Sequence, residues 1–92
     1  MYLEIVSPEA TLFSGEVTSV TVPGVNGEFQ MLQNHAPVLS LLQEGDVKIQ
    51  GDVVIDEEFE NKFSKGNNGE TVLSIASGTI EMKDNKVIVL AD

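Results

Sequence analysis

Turn-forming dipeptides punctuate this chain at short, fairly even intervals, and that spacing rules out most folds. They are Pro23-Gly24, Asn26-Gly27, Glu44-Gly45-Asp46, Gly51-Asp52, Asn67-Asn68-Gly69 and Asp84-Asn85. Glycine and asparagine reach the backbone angles that tight turns need, and Asn26-Gly27 in particular predicts a type I′ hairpin. The runs between turns are too short for helices and alternate with period two. Leu3 and Ile5 flank Glu4, Val20 and Val22 flank Thr21, Val47 and Ile49 flank Lys48, and Ile80 and Met82 flank Glu81. Each pattern turns one face inward and one outward. The last run, Val87-Ile88-Val89-Leu90, is apolar on both faces and reads as a more buried strand. Many short strands joined by regular turns predict an all-β sandwich or barrel.

Two segments depart from the alternation. In Asn34–Gln43, Pro37 keeps Ala36 out of the helical region, so a turn leads into the run Val38, Leu39, Leu41, Leu42, which reads as a strand or as a helical turn. In residues 56–65, Phe59 and Phe63 lie four apart behind Asp56, Glu57 and Glu58. That spacing fits one face of a short helix with acids at its positive end, and it also fits a strand, because four is even. The reading taken is a short helix near residues 56–63 or an irregular excursion. No repeat or linker divides the chain, and 92 residues suit one domain and one core.

Chemistry is harder to find. There are no cysteines, so disulfides, thiolate zinc sites and cysteine nucleophiles are excluded. No GxxxxGK[ST], GxGxxG, GxSxG or HExxH pattern occurs, and the single histidine, His35, rules out a His-pair metal site. The acids at 56, 57, 58 and 60 lack the spacing and central glycine of a calcium loop. His35 is the one side chain whose ordinary pKa lies near neutrality, but a general base needs a positioned constellation that no motif supplies. The expectation is no catalytic residue, no metal, no cofactor and no small-molecule substrate. A net charge of −10, with only Lys48, Lys62, Lys65, Lys83 and Lys86 as cations, repels phosphate and disfavours nucleic acid and anionic lipid. No apolar run approaches the roughly 20 residues of a bilayer span, and strand-like sequence begins at Tyr2, so no leader is expected. Residues alone leave open an unrelated β-sandwich adaptor, or a small hydrolase built on His35 and carboxylates.

One stretch is much more specific. Val20–Leu39, VTVPGVNGEFQMLQNHAPVL, resembles the signature of ATP synthase epsilon subunits: a P-G turn, then G-E, a short apolar strand, and N-H-A-P with leucines. The flanks agree: LEIVSPE from Leu3, FSGEV from Phe13, GDVKI from Gly45, Ser77-Gly78 with Ile80-Glu81, and KVIVLAD from Lys86. The resemblance covers nearly the whole chain. It departs at Phe29-Gln30-Met31, where L-G-I is usual, at Thr79, where a second glycine is usual, and in the longer segment from about Gly51 to Glu70. It implies a ten-stranded β-sandwich of two five-stranded sheets over residues 1–92 and a non-catalytic place in the rotor stalk. It implies that Glu28, with Asn26, Gly27 and Phe29, faces the ring of c subunits, where a ring cation meets the Glu28 carboxylate. It implies that His35, Ala36, Pro37, Val38, Leu39 and Leu42 lie against the gamma subunit. Phe29, Met31, Val38 and Leu42 are candidate apolar anchors that compete with the core for the same side chains. Longer members continue into a helical hairpin where this chain stops at Asp92, so the expectation is coupling without inhibition by helix insertion. The setting expected is the cytoplasmic face of a bacterial inner membrane, held there peripherally.

Overall fold

The computed structural model describes residues 1–92. Ten strands follow in order: β1 (Tyr2–Val6), β2 (Thr11–Glu16), β3 (Ser19–Gly24), β4 (Gly27–Met31), β5 (Val38–Leu42), β6 (Gly45–Gln50), β7 (Phe63–Lys65), β8 (Thr71–Ile75), β9 (Gly78–Lys83) and β10 (Lys86–Ala91). One 3-10 helix, Glu57–Lys62, precedes β7. Hydrogen bonding links the strands into one continuous curled sheet. It falls naturally into two five-stranded layers, β2-β1-β10-β9-β5 and β4-β3-β6-β8-β7. Only the pair Gly24↔Leu42 joins β3 to β5 at the corner between them. The expected sandwich is therefore present, with one corner sewn shut.

The period-two pattern does what it predicts. Leu3 and Ile5, Val87 and Val89, and Ile80 and Met82 point inward from the first layer, and Val20, Val22, Val47 and Ile49 point inward from the second. All belong to one buried apolar cluster between the layers. Such a core is the dominant stabilising element of a chain this small.

Turn chemistry explains the hairpins, with one correction. At the β3–β4 turn the register Gly24↔Gly27 puts Val25 and Asn26 at the tip. Only Gly27 has positive φ, at 123°, so Asn26-Gly27 does not form the type I′ pair. The turn with positive φ at both central residues is Asp84-Asn85, at 53° and 61°, between β9 and β10. Gly24 is needed for a different reason: a Cβ there would come within 2.6 Å of the Phe29 ring and 2.8 Å of the Gly27 carbonyl oxygen.

Residues 34–43 resolve into a turn and then strand β5, as the Pro37 argument requires. In residues 56–65 the helix reading holds, in its tighter 3-10 form. Asp56 caps it by accepting a hydrogen bond from the Glu58 backbone N–H at 3.2 Å. Phe59 and Phe63 are half-buried and pack on the core, so the excursion between β6 and β7 is anchored by its aromatics. β1 and β10 pair in parallel, Tyr2↔Lys86 through Val6↔Leu90, bringing the two ends of the chain side by side.

Candidate functional site

With the inner faces accounted for, the outward faces and the loop between the layers remain. The β3–β4 hairpin presents Asn26 and Gly27, both exposed, followed by Glu28. Glu28 lies opposite Pro23 on the outward face of the second layer. Its Oε2 is 3.1 Å from Nζ of Lys48 on β6, so the pair reaches across β3. First the hydrogen bond to Glu28 and then its negative charge hold the Lys48 ammonium above the ordinary lysine value, with Asp46 and Glu70 adding smaller contributions. Asp46 in turn accepts a hydrogen bond from the Ser74 hydroxyl at 2.8 Å. This face is a polar network.

Residues 32–37 join β4 to β5 and carry the surface from one layer to the other. Asn34 takes positive φ, 59°, and its N–H donates to Asn85 Oδ1 at 2.8 Å. Asn85 Nδ2 donates to Gln33 Oε1 at 3.2 Å, and Gln33 Nε2 donates to the Val17 carbonyl at 3.2 Å. The Met1 amine donates to the same Gln33 Oε1 at 2.6 Å. The loop is thus tied at its first half to three other segments. His35, Ala36 and Pro37 stay exposed beyond these ties. The His35 ring Nδ1 lies 2.8 Å from the Ala36 carbonyl oxygen, which can only accept, so Nδ1 is the donor there. No group of three or more histidine, cysteine, aspartate or glutamate side chains is arranged to hold a metal ion.

The first layer's outward face is unlike the second's. Leu39 is 80% exposed and Leu41 63% exposed. Register continues the apolar surface: Leu41 lies opposite Thr79 and Thr79 opposite Leu90, which is half exposed. Val25, Leu41, Thr79 and Leu90 line a shallow open depression of about 470 Å³. Close passage of β10 there depends on Gly78, where a Cβ would come within 2.3 Å of the Leu90 carbonyl oxygen. The reading of β10 as a more buried strand holds on its inward side. Val87 and Val89 are buried, but Leu90 faces out because no part of this chain covers that side.

Of the residues expected to make contacts, Asn26, Gly27, Glu28, His35, Ala36, Pro37 and Leu39 are exposed, and Phe29 and Val38 are half-buried against the core. Met31 and Leu42 are core residues, at 0% and 4% exposure, and offer almost no surface. Three surface residues were missed by sequence reasoning: Leu41, Leu90 and Lys48. Leu41 could have been found, since period two puts it on the face of Leu39.

The chain matches, over residues 1–92, the family model for the β-sandwich domain of the ATP synthase delta/epsilon chain. It is 38% identical over 90 residues to the ATP synthase epsilon chain of Chlorobaculum tepidum, covering 98% of this chain and 86% of that one. It is 38% identical over 92 residues to the epsilon chain of Campylobacter curvus, spanning all of this chain but 60% of that one. Among solved structures, a chain from the central stalk and c-ring of the Tetrahymena thermophila mitochondrial ATP synthase superposes with a TM-score of 0.73 at 14% identity. That match covers 99% of this chain and 62% of the other. A chain of the Euglena gracilis mitochondrial ATP synthase also scores 0.73, at 16% identity, over 97% of this chain and 48% of that one. Likeness at these identities shows a shared fold.

Proposed function

The chain belongs to the ATP synthase delta/epsilon β-sandwich family, whose relatives here are epsilon chains, accessory rather than catalytic, and we propose that it is a rotor-stalk element that grips two neighbours at once. The gamma subunit takes the apolar side: His35, Ala36 and Pro37 of the inter-layer loop, then Val38 and Leu39 with Leu41 and Leu90 beside them. Leu42 supports this strand from behind. The ring of c subunits takes the hairpin side, through Asn26, Gly27 and Phe29, with Glu28 accepting from a ring cation in a charge-assisted hydrogen bond.

The observation that carries this reading is the exposure of Leu39 and Leu41 on an otherwise acidic molecule. Leu39 and Leu41 stand out from one strand, with Leu90 in the same row as Leu41 two strands away, and such clustered exposed apolar side chains mark a surface meant to be covered. Apolar contact supplies affinity there, while charge at the hairpin sets register and orientation. The mechanism is mechanical. A close-packed sandwich resists compression and transmits strain, so torque from ion flow through the ring reaches gamma through it without any bond being made or broken. Bacterial relatives, and the fact that no helix is long and apolar enough to cross a membrane, fit a peripheral place on the cytoplasmic side of a bacterial inner membrane.

Affinity capture on mild detergent extracts of the source organism's membranes tests this. Gamma and c subunits are expected together on the tagged chain, and high salt should strip the ring contact before the gamma contact. Recovery of neither partner would overturn the proposal.

A further inference from the structure

We propose that Lys48 is a positioning residue for Glu28, holding one carboxylate oxygen so that the other is presented to the partner's cation. This rests on the reading of Glu28 as a ring contact.

Glu28 stands on β4, a strand paired on one edge only, and is 54% exposed on its side chain. A free glutamate in that place samples several rotamers, and ordering it on binding opposes association. Lys48 removes that freedom beforehand. It stands on β6, opposite Thr21 of β3, and its ammonium reaches diagonally over β3 to Glu28 Oε2 at 3.1 Å. The ion pair engages Glu28 at Oε2, which leaves Oε1 for a second donor. The lysine is itself supported: it is half-buried and lies directly opposite Val72, a buried side chain on the outward face that stands outside the main core cluster. The placement is selective, because of five lysines among fifteen acids only Lys48 takes part in an ion pair.

The chemistry predicts opposite effects on the two rates. Lys48 partly neutralises Glu28, so its removal strengthens long-range attraction for a cation and speeds encounter. Its removal also frees the carboxylate, so the formed contact breaks faster. Pre-organisation is read in the dissociation rate.

The test is a double-mutant cycle on the immobilised gamma–c-ring rotor of the source organism, following dissociation of purified variants. K48M should dissociate about two- to five-fold faster, the range an exposed ion pair spans. K48R should restore the wild-type rate, and K48M should add nothing when combined with E28Q. Thermal melts of each variant check folding, and K48Q repeats the measurement if K48M does not fold. If E28Q alone leaves dissociation unchanged, the ring reading of Glu28 falls, and this inference with it. If E28Q dissociates faster but K48M does not, or if K48M acts equally with and without Glu28, the positioning role is overturned while the ring reading stands.

Discussion

The two outward faces of the sandwich are built from the same strand geometry, but only the first carries an exposed apolar patch, beside Glu81, Lys83 and Lys86. On the second layer, Glu28 pairs with Lys48 and Ser74 donates to Asp46, two contacts made within the chain. On the first, Leu39, Leu41 and Leu90 project with nothing above them. A monomer that worked alone would gain solubility from two polar faces and lose nothing in its core. The difference teaches that the first layer's outward face keeps an apolar patch uncovered within this chain, and that the second holds its charged pair in place within the chain. Apolar surface gives affinity without direction, whereas the charged pair gives direction with little affinity. A part that transmits torque needs both, on different sides.

The largest expected effect separates inward from outward apolar residues. Ile49→Ala empties a fully buried site and should lower unfolding free energy by about 2–5 kcal/mol. Leu39→Ser should change it by less than about 0.5 kcal/mol, since the side chain is exposed in the folded chain. Chemical denaturation of the isolated chain measures both. If Leu39→Ser proves as damaging as Ile49→Ala, Leu39 is part of a core and the contrast between faces is false.

That contrast also shows where sequence reading stops. Alternation such as Leu3-Glu4-Ile5 or Val47-Lys48-Ile49 names the inward face of a strand, because burial on one side leaves a period of two. At Val87–Leu90 both faces are apolar, and the same logic reads a more buried strand. The chain cannot say whether the second cover comes from itself or from another molecule, and Leu90 shows that here it is not from itself. The four-residue spacing of Phe59 and Phe63 behind three acids was enough to suggest the short helix, because both signals are local. Pairing across distance was not legible. The parallel alignment of β1 with β10 joins residues at opposite ends of the chain, and no turn between them records it. Lys48 reaches Glu28 over an intervening strand, so neither spacing nor alternation links them. Glu28 and the His35-Ala36-Pro37 loop stood out through family resemblance, which supplied what periodicity lacks.

The next effect is on binding. Leu41→Asp should weaken association with gamma by roughly tenfold or more, because covering a leucine contributes about 1.5–3 kcal/mol. The weakening should persist at high salt, because the lost apolar contact is not screened even where the added charge is. Glu28→Gln should instead weaken the ring contact by a few-fold, and that loss should shrink as salt rises. Titration against separate gamma and ring preparations distinguishes them. Equal salt dependence for both variants would erase the division of labour between the faces.

The smallest effect concerns pH and reaches only the polar face. Glu28 holds the Lys48 ammonium above its ordinary value of 10.5 in the folded chain. A cation whose folded value is raised contributes stability that is fully present below its unfolded value and is lost as pH rises through the folded one. The stability difference between wild type and Lys48→Met should therefore be flat across the neutral range and fade only above 10.5. Asp46 and Glu70 act on the ammonium in the same direction and belong to the same response. Leu41→Asp, made on the other face, should show no such step in that alkaline range, since Lys48 is untouched. A stability difference for Lys48→Met that already falls away around neutral pH would mean that the ammonium is not held by Glu28, and the polar face would lose the contact that distinguishes it from its apolar counterpart.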